Sequence, residues 1–143
     1  MVNHSDIYAA LKAILDNDST LNNLLDRQAD SKVFTGIMPR AFGFPAVQIV
    51  IMTDNQRDLS HNLSDIYFLI NVHTQTDSAG IGQLENSSDI LDRCETLIDD
   101  QSLTVTGHSI YVMYVEGHDP IVVDPGNDNY AIEGIRCRLF AAK

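Results

Sequence analysis

The chain has 143 residues, twenty Asp and Glu against nine Lys and Arg, and a formal net charge of −11. This length suits one domain with its own core, and the apolar share of 44% is typical of a soluble globular protein. So acidic a chain repels a phosphate backbone, which argues against sequence-specific nucleic-acid binding. No apolar run approaches the ~20 residues of a membrane span, and no signal peptide is visible, so we expect folding in a reducing cytoplasm.

Two short helices are predicted at the start of the chain. Ser5 can cap the first, and one of residues 18–20 can cap the second. Apolar side chains recur at helical spacing in both: Ile7, Leu11, Ile14 and Leu15 in the first, then Leu21, Leu24 and Leu25 in the second. Because neither helix would be stable alone, we expect both to cover one face of a sheet.

The next stretch predicts the middle of that sheet. Residues 32–36 suggest a very short edge strand, and residues 37–45 form a loop rich in Pro, Gly and Phe. Residues 46–52 are apolar on nearly both faces, as in a central strand. Residues 65–76 alternate at period two and could extend about 35–40 Å at ~3.3 Å per residue. A strand of that length is central, or reaches out towards a neighbouring molecule.

The polar segment from Thr53 to Ser64 lies between the two best strands. The simplest arrangement is a long β-hairpin whose tip projects into solvent. A connection of about a dozen residues is uncommon unless it is functional or mobile. The tip is therefore either a floppy surface loop or an arm that binds a partner.

A principal helix is predicted over residues 82–99. Its apolar residues, with Ser87 and Cys94, occupy a sector of roughly 140°, and carboxylates take most of the rest. Asp99 and Asp100 lie at the C-terminal end, where the helix dipole disfavours them, and the sequence offers no reason for this. Strands follow at 103–107, 109–115, 121–123 and 130–140, with turns at 117–120 and 125–129.

This order of elements predicts a single α+β domain over residues 1–143. The sheet is mainly antiparallel with a long central hairpin, and the helices pack on one of its faces. Cys94 and Cys137 fall on apolar faces of a helix and a strand, so we expect buried reduced thiols rather than a disulfide.

The sequence carries no recognisable catalytic motif, and we predict neither an enzyme, a cofactor nor a metal site. None of the five histidines is paired at a metal-ligand spacing. His118 and Asp119 could meet Asp124 by folding, although a solvated turn is the simpler interpretation. Nucleophile-elbow, P-loop and dinucleotide-binding patterns are absent from the sequence.

Several segments together resemble the tail terminator, or tail completion, proteins of tailed bacteriophages and prophages. They are I-Y-x-x-L-K-x-I-L at residues 7–15, D-x-x-L-x-x-L-L at 18–25, V-F-x-G at 33–36, F-P-A-V-Q-I at 44–49, I-L-D-R-C-x-x-L-I at 90–98 and G-H-S-I at 107–110. The likeness spans almost the whole chain as an order of elements, without an invariant motif. Residues 53–64 and 125–129 match no family signature.

The resemblance implies a structural subunit of the virion tail or neck, assembled in the bacterial host cytoplasm. Such subunits form a ring, usually a hexamer, that caps the tail tube and meets the head-tail connector protein. A ring buries strand edges that would otherwise invite aggregation, and head-to-tail contacts can close one. DNA would only pass through the opening, and an acidic wall would not hold it.

Two loops supply the candidate protein-protein contacts. One bears Arg40, Phe42 and Phe44, and exposed aromatics and arginines are the residue types that interfaces favour. The alternative is that Phe42 and Phe44 pack into the core. The second of the two loops is the hairpin loop, which bears Asp54, Arg57, Asp58 and His61.

Three other functions stay open at this point. A head-completion or connector subunit of the same virion would have the same sequence features. A small cytosolic ligand-binding or regulatory domain, or an enzyme with an unrecognised site, would more simply be a monomer or a two-fold dimer.

Overall fold

The computed structural model describes residues 2–58, 63–75, 84–124 and 130–143. Three helices and five strands follow one another in these ranges. They are α1 (His4–Asp16), α2 (Ser19–Leu24), β1 (Val33–Thr35), β2 (Ala46–Asp58), β3 (Leu63–Gln75), α3 (Leu84–Ile98), β4 (Ser109–Asp124) and β5 (Tyr130–Ala142).

The strands form one mixed sheet in the order β1-β2-β3-β5-β4, so the long strand β3 is central. β1 pairs with β2 in parallel over Val33–Thr35, and the other three pairings are antiparallel. β2 and β3 pair from Ala46 opposite His73 to Asp58 opposite Leu63. The tip of the predicted hairpin, residues 59–62, lies outside the described residues.

One face of the sheet packs against the helices and holds the core. Ile66, Phe68, Ile70 and Val72 alternate along β3 and are 0–1% exposed. They join the buried leucines of α1 and α2 and the buried residues of α3 in one hydrophobic cluster. The two-residue period of a strand and the 3.6-residue period of the helices thus bring their apolar sides to the same layer. We call the opposite side of the sheet the open face.

Side-chain caps begin the first two helices. Asn3, not Ser5 as predicted, caps α1 and accepts a hydrogen bond from the backbone N–H of Ser5. The prediction placed the helix start two residues too late, because Asn and Ser are equally good caps. Asp18, one of the predicted candidates, caps α2 and accepts from the N–H of Leu21 at 2.8 Å.

Asp18 also connects the N-terminal helices to α3. Arg93 donates to both of its carboxylate oxygens, at 2.9 and 2.7 Å. The Arg93 guanidinium is the main reason that the pKa of Asp18 lies below its ordinary value. One carboxylate therefore serves as a cap and as a salt-bridge partner between helices.

The predicted loop from Thr53 to Ser64 is wrong at both ends. β2 continues through Asp58 and β3 begins at Leu63, with register shifts between Ile51 and Thr53 and between Gln56 and Asp58. A β-bulge inserts an extra residue and disturbs the strict two-residue alternation. The polar residues beyond Met52 therefore lack the regular alternation from which the continuation of β2 could have been predicted.

The predicted turn at residues 117–120 is also wrong, because β4 runs unbroken from Ser109 to Asp124. Three register shifts interrupt its pairing with β5, and one of them spans Pro120. Proline is tolerated in a sheet on an edge strand or at a bulge, and β4 offers both conditions. Residues 103–107, predicted as a strand, lie outside any strand. The turn predicted at 125–129 lies outside the described residues.

The structure explains one of the two carboxylates that the dipole of α3 disfavours, that of Asp99. The Asp99 carboxylate accepts the backbone N–H of Val115 at 2.9 Å, and the N–H of Asp100 donates to the carbonyl of Met113 at 3.1 Å. These bonds occupy part of the outer edge of β4. The helix end thus covers edge groups that would otherwise be open to pairing.

Cys94 and Cys137 are both free and buried, as predicted. Burial is the main cause that raises the pKa of Cys94 to about 12, and it raises the pKa of Cys137 as well. Thiols held in this protonated form behave as small apolar side chains of the core.

Candidate assembly surfaces

The structure divides the six predicted contact residues between two places. Arg40 and Phe42 lie in the loop between β1 and β2, where Arg40 is exposed and Phe42 is half-buried. Asp54, Arg57 and Asp58 lie in β2, with only the side chain of Asp54 described. His61 lies outside the described residues.

The loop between β1 and β2 folds over one end of the open face. Phe42 contacts four rings, with centroid distances of 4.8 Å to Phe44, 5.8 Å to His73, 6.4 Å to Tyr130 and 6.5 Å to Phe34. The contacts are edge-on or tilted, which is the geometry that ring quadrupoles favour. Phe42 therefore holds the loop to the sheet, and the exposed Arg40 projects from a supported position.

A line of hydrogen bonds strengthens this aromatic cluster. The side-chain NH₂ of Gln48 donates to the carbonyl of Gly36 at 2.6 Å. The amide oxygen of Gln48 is therefore the atom next to His73, and it accepts a hydrogen bond from His73 Nε2 at 2.8 Å. His73 Nδ1 is then the acceptor for the Tyr130 hydroxyl. These hydrogen bonds assign His73 to the neutral tautomer with its proton on Nε2.

Burial favours the same neutral form of His73. The side chain is almost fully buried, and desolvation lowers its pKa from 6.5 to about 4. Desolvation also raises the pKa of Tyr130. Both residues therefore stay uncharged at neutral pH, as a closed hydrogen-bonded cluster requires.

Asp54 lies on the extended part of β2 and is bound from the N-terminus of the chain. His4 in the first turn of α1 lies 2.8 Å from one Asp54 oxygen. The hydroxyl of Tyr8, one turn further on, accepts the backbone N–H of Ile51. The start of α1 therefore braces the outer side of β2.

The two sets of predicted contact residues lie far apart. Phe42 lies beside His73, whereas Asp54 is paired with Ile66, seven residues earlier on β3. At about 3.3 Å per residue these positions are roughly 23 Å apart along the strand. Arg40 and Asp54 therefore belong to two surfaces rather than one site.

Sequence reasoning missed a buried ion pair on the open face. Arg138 of β5 donates to both oxygens of Asp65 on β3, at 2.7 and 2.6 Å, and Asp65 is 0% exposed. The guanidinium also stacks 4.7 Å from the Tyr67 ring centroid and 4.9 Å from that of Phe140. The main cause that raises the Arg138 pKa is its hydrogen bond to Asp65. The sequence did show one charged residue on each of two long strands. That Asp65 and Arg138 form a pair could not be predicted without the register between β3 and β5.

An open cleft of about 460 Å³ lies between the linker before β1 and the loop after it, lined by Lys32, Phe34, Pro39 and Phe42 among others. Among the described residues, no three or more His, Cys, Asp and Glu side chains gather where they could hold a metal ion. None of the helices in the described part has the length and apolar character that a membrane span requires.

Comparison with solved structures shows a fold that this chain shares with a virion protein. No protein-family model matches the chain, and no curated protein is similar to it at a significant level. A chain in the solved structure of the virion of a native gene transfer agent (GTA) particle has the same fold, with a TM-score of 0.76. The match covers 98% of this chain and 97% of that chain, at 13% sequence identity. At that identity, the match shows a shared fold.

Proposed function

We propose that this chain is a structural protein of a phage-like virion, which caps the tail tube as a ring and joins tail to head. The observation that carries the proposal is the fold shared with a virion chain over nearly the full length of both. The sequence segments that resemble tail terminators point to the same class. Fold alone does not fix function, so the role must be tested on the assembled particle.

The described surface supports a role in assembly rather than in bond-making chemistry. Among the described residues, the polar groups with shifted pKa values are held in closed structural contacts: Asp18 with Arg93, Arg138 with the carboxylate of Asp65, and His73 with Tyr130. The two cysteines with raised pKa values are buried in the core. A catalytic site needs such groups to converge on a space for substrate. The open cleft contains none of these residues.

The acidic charge supports contact with protein rather than with DNA. A net charge of −11 repels phosphate, so DNA could pass through a ring of such subunits without being held. In the proposal the partners are further copies of the chain, the tail tube protein and the head-tail connector protein. The ring would belong to the virion neck and assemble in the bacterial host cytoplasm.

Deletion of the gene from the phage or prophage that encodes it tests the role directly. The proposal predicts tails of unregulated length that stay separate from filled heads in electron micrographs. The alternative, a head-completion or connector subunit, predicts tails of normal length beside heads that lose DNA. Normal, joined particles would contradict both.

Electron microscopy of the purified protein, alone and with tail tubes, is the second test of the proposed function. We expect a ring with a central opening, either free or at one end of the tube. A monomer or two-fold dimer that binds no tube would favour the small ligand-binding domain instead.

A further inference from the structure

We infer that a second copy of this chain docks edge to edge, with β4 of one copy against the β1/β2 side of the next. The inference deepens the proposed function and rests on it for its biological setting. Its structural basis is independent of that role. It begins with the distribution of exposed apolar side chains.

Six large apolar side chains are exposed among the described residues, and all lie at the two opposite sides of the sheet. Four belong to what we call the β4 edge: Tyr111, Val112, Ile121 and Val122. The other two, Ile37 and Met52, belong to what we call the β1/β2 edge. Ile37 is 94% exposed and Tyr111 is 68% exposed, so a partner that covers them would remove apolar area from water.

The backbone at both edges is only partly occupied. β1 covers β2 only from Val47 to Ile49, so β2 beyond Val50 has no strand partner on its outer side among the described residues, and the Tyr8 hydroxyl binds the N–H of Ile51 there. At the other side, the end of α3 binds β4 at Met113 and Val115. Each edge therefore combines exposed apolar side chains with a strand whose outer side is only partly occupied.

Charge decides how the edges combine. Nine carboxylates and a single base, Arg93, fall between Glu85 and Asp124, which include α3 and β4. Glu95 and Asp99 lie directly beside β4, the former 3.0 Å from His118 and the latter bonded to Val115. Two β4 edges would therefore bring like charges together and repel each other.

The β1/β2 edge is the better electrostatic match for the β4 edge. Between Asp26 and Asp58, four bases offset four carboxylates, although the whole chain carries −11. The open cleft is lined by Lys32 together with Asp26 and Asp30, and the exposed Arg40 lies between two of its other lining residues. The cleft gives this edge a concave surface that can receive a projecting side chain such as Tyr111.

Contact between two different edges is heterologous. Each copy then offers one free edge of each kind, and successive copies add in the same direction until the rotation closes a ring. A symmetric β4-to-β4 pair would satisfy only one edge and would stop at a dimer.

Complementary variants test this arrangement. Tyr111→Glu with Val122→Glu disables the β4 edge, and Ile37→Glu with Met52→Glu disables the other. Thr20→Glu with Asn23→Glu is the control, because it adds the same charge at exposed sites of α2, which contacts the other helices rather than β2 or β4. Sedimentation velocity at increasing protein concentration measures the mass, and circular dichroism checks that each variant is folded.

We expect the wild type and the control to assemble, and each edge variant alone to associate on the order of tenfold more weakly or worse. Mixing the two edge variants should give a one-to-one dimer that does not grow, since only one intact pair of edges remains. A wild type that stays monomeric, an edge variant that assembles normally, or a mixture without dimers would each overturn the inference.

A cysteine pair keeps the test decisive if a glutamate variant fails to fold. Ile37→Cys with Tyr111→Cys, treated with a long flexible thiol-reactive cross-linker, should give a ladder of linked oligomers, because Cys94 and Cys137 are buried and only the new thiols react. Monomers only would contradict the docking. Rings with normal edge behaviour, but tails unaffected by gene deletion, would refute the proposed function and leave the edge contact standing.

Discussion

The two faces of β3 are buried in different ways. On the helix side, Ile66, Phe68, Ile70 and Val72 are covered by apolar helices. On the open face, Asp65 and His73 are as deeply buried, although none of the described helices lies above them. Aromatic rings with an arginine cover one end, and the loop between β1 and β2 covers the other.

The difference shows how a two-layer domain can bury both sides of its central strand. The helix side depends on apolar area, which is non-directional and tolerant of exchange. The open face depends on specific polar partners, and a buried polar group left without one is costly. Substitutions should therefore lose stability through volume on one face and through unmatched polar groups on the other.

The largest effect is expected for Phe68→Ala, which opens a cavity in the helix-side core. Its free energy of unfolding should fall by about 3–5 kcal/mol. Leu69→Ala, the neighbour on the half-buried open face, should cost only about 1 kcal/mol. Urea denaturation at one fixed protein concentration measures both, because self-association would otherwise alter apparent stability. Equal losses would show that the two faces contribute alike.

The second largest effect is expected for Asp65→Leu, which removes the carboxylate that Arg138 binds. The guanidinium then lacks its bidentate partner, and the domain should lose more stability than with Leu69→Ala. Adding Arg138→Met should restore part of the loss, since two apolar groups replace a broken pair. A double-mutant cycle by urea denaturation measures this coupling, and strict additivity would argue against it.

The third effect concerns pH and His73. Because the folded pKa is about 4 and the unfolded pKa is near 6.5, the unfolded chain binds the extra proton between these values. Stability should therefore fall by roughly 2–3 kcal/mol as pH drops from 7 to 4. Denaturation curves at several pH values measure the slope, which His73→Gln should flatten. The same slope in both proteins would contradict the assignment.

The smallest effect is expected at Asp18, on the more exposed helix layer. Asp18→Ala removes the α2 cap and the Arg93 partner and should cost about 0.5–2 kcal/mol. Asp18→Asn keeps the capping oxygen and should cost less. Since Arg93 lowers the Asp18 pKa, this contribution is present above pH ~4 and fades below it. Thermal unfolding at pH 7 and pH 3 separates the two roles.

Sequence periodicity predicted the helix side well, because Phe68 and its neighbours repeat every second residue and Ser87 falls on the same side as Cys94. It failed where the structure departs from a regular period, at the bulges beyond Met52 and around Pro120. It also could not pair Asp65 with Arg138, which are 73 residues apart. The role of Asp99 was hidden for the same reason, since its partner is the N–H of Val115.

The candidate contact residues were predicted by type rather than by position. Arg40 was expected at an exposed loop and is found there, whereas Phe42 stabilises that loop from within. The β4 edge was not predicted as a surface, because Tyr111 and Val122 look like ordinary strand residues until the sheet order places them at the side. Edge position is a property of topology, and a single sequence does not reveal it directly.

The place of β5 between β3 and β4 has a consequence for synthesis. β5 pairs with both β3 and β4, so neither strand can complete its pairing until the residues up to Ala142 have left the exit tunnel. A nascent chain that has emerged only as far as Asp124 can pair β2 with β3, yet β4 lacks the strand that it pairs with in the described structure. The backbone groups of an unpaired strand can associate with other chains, so the sheet is protected only when this last strand has emerged.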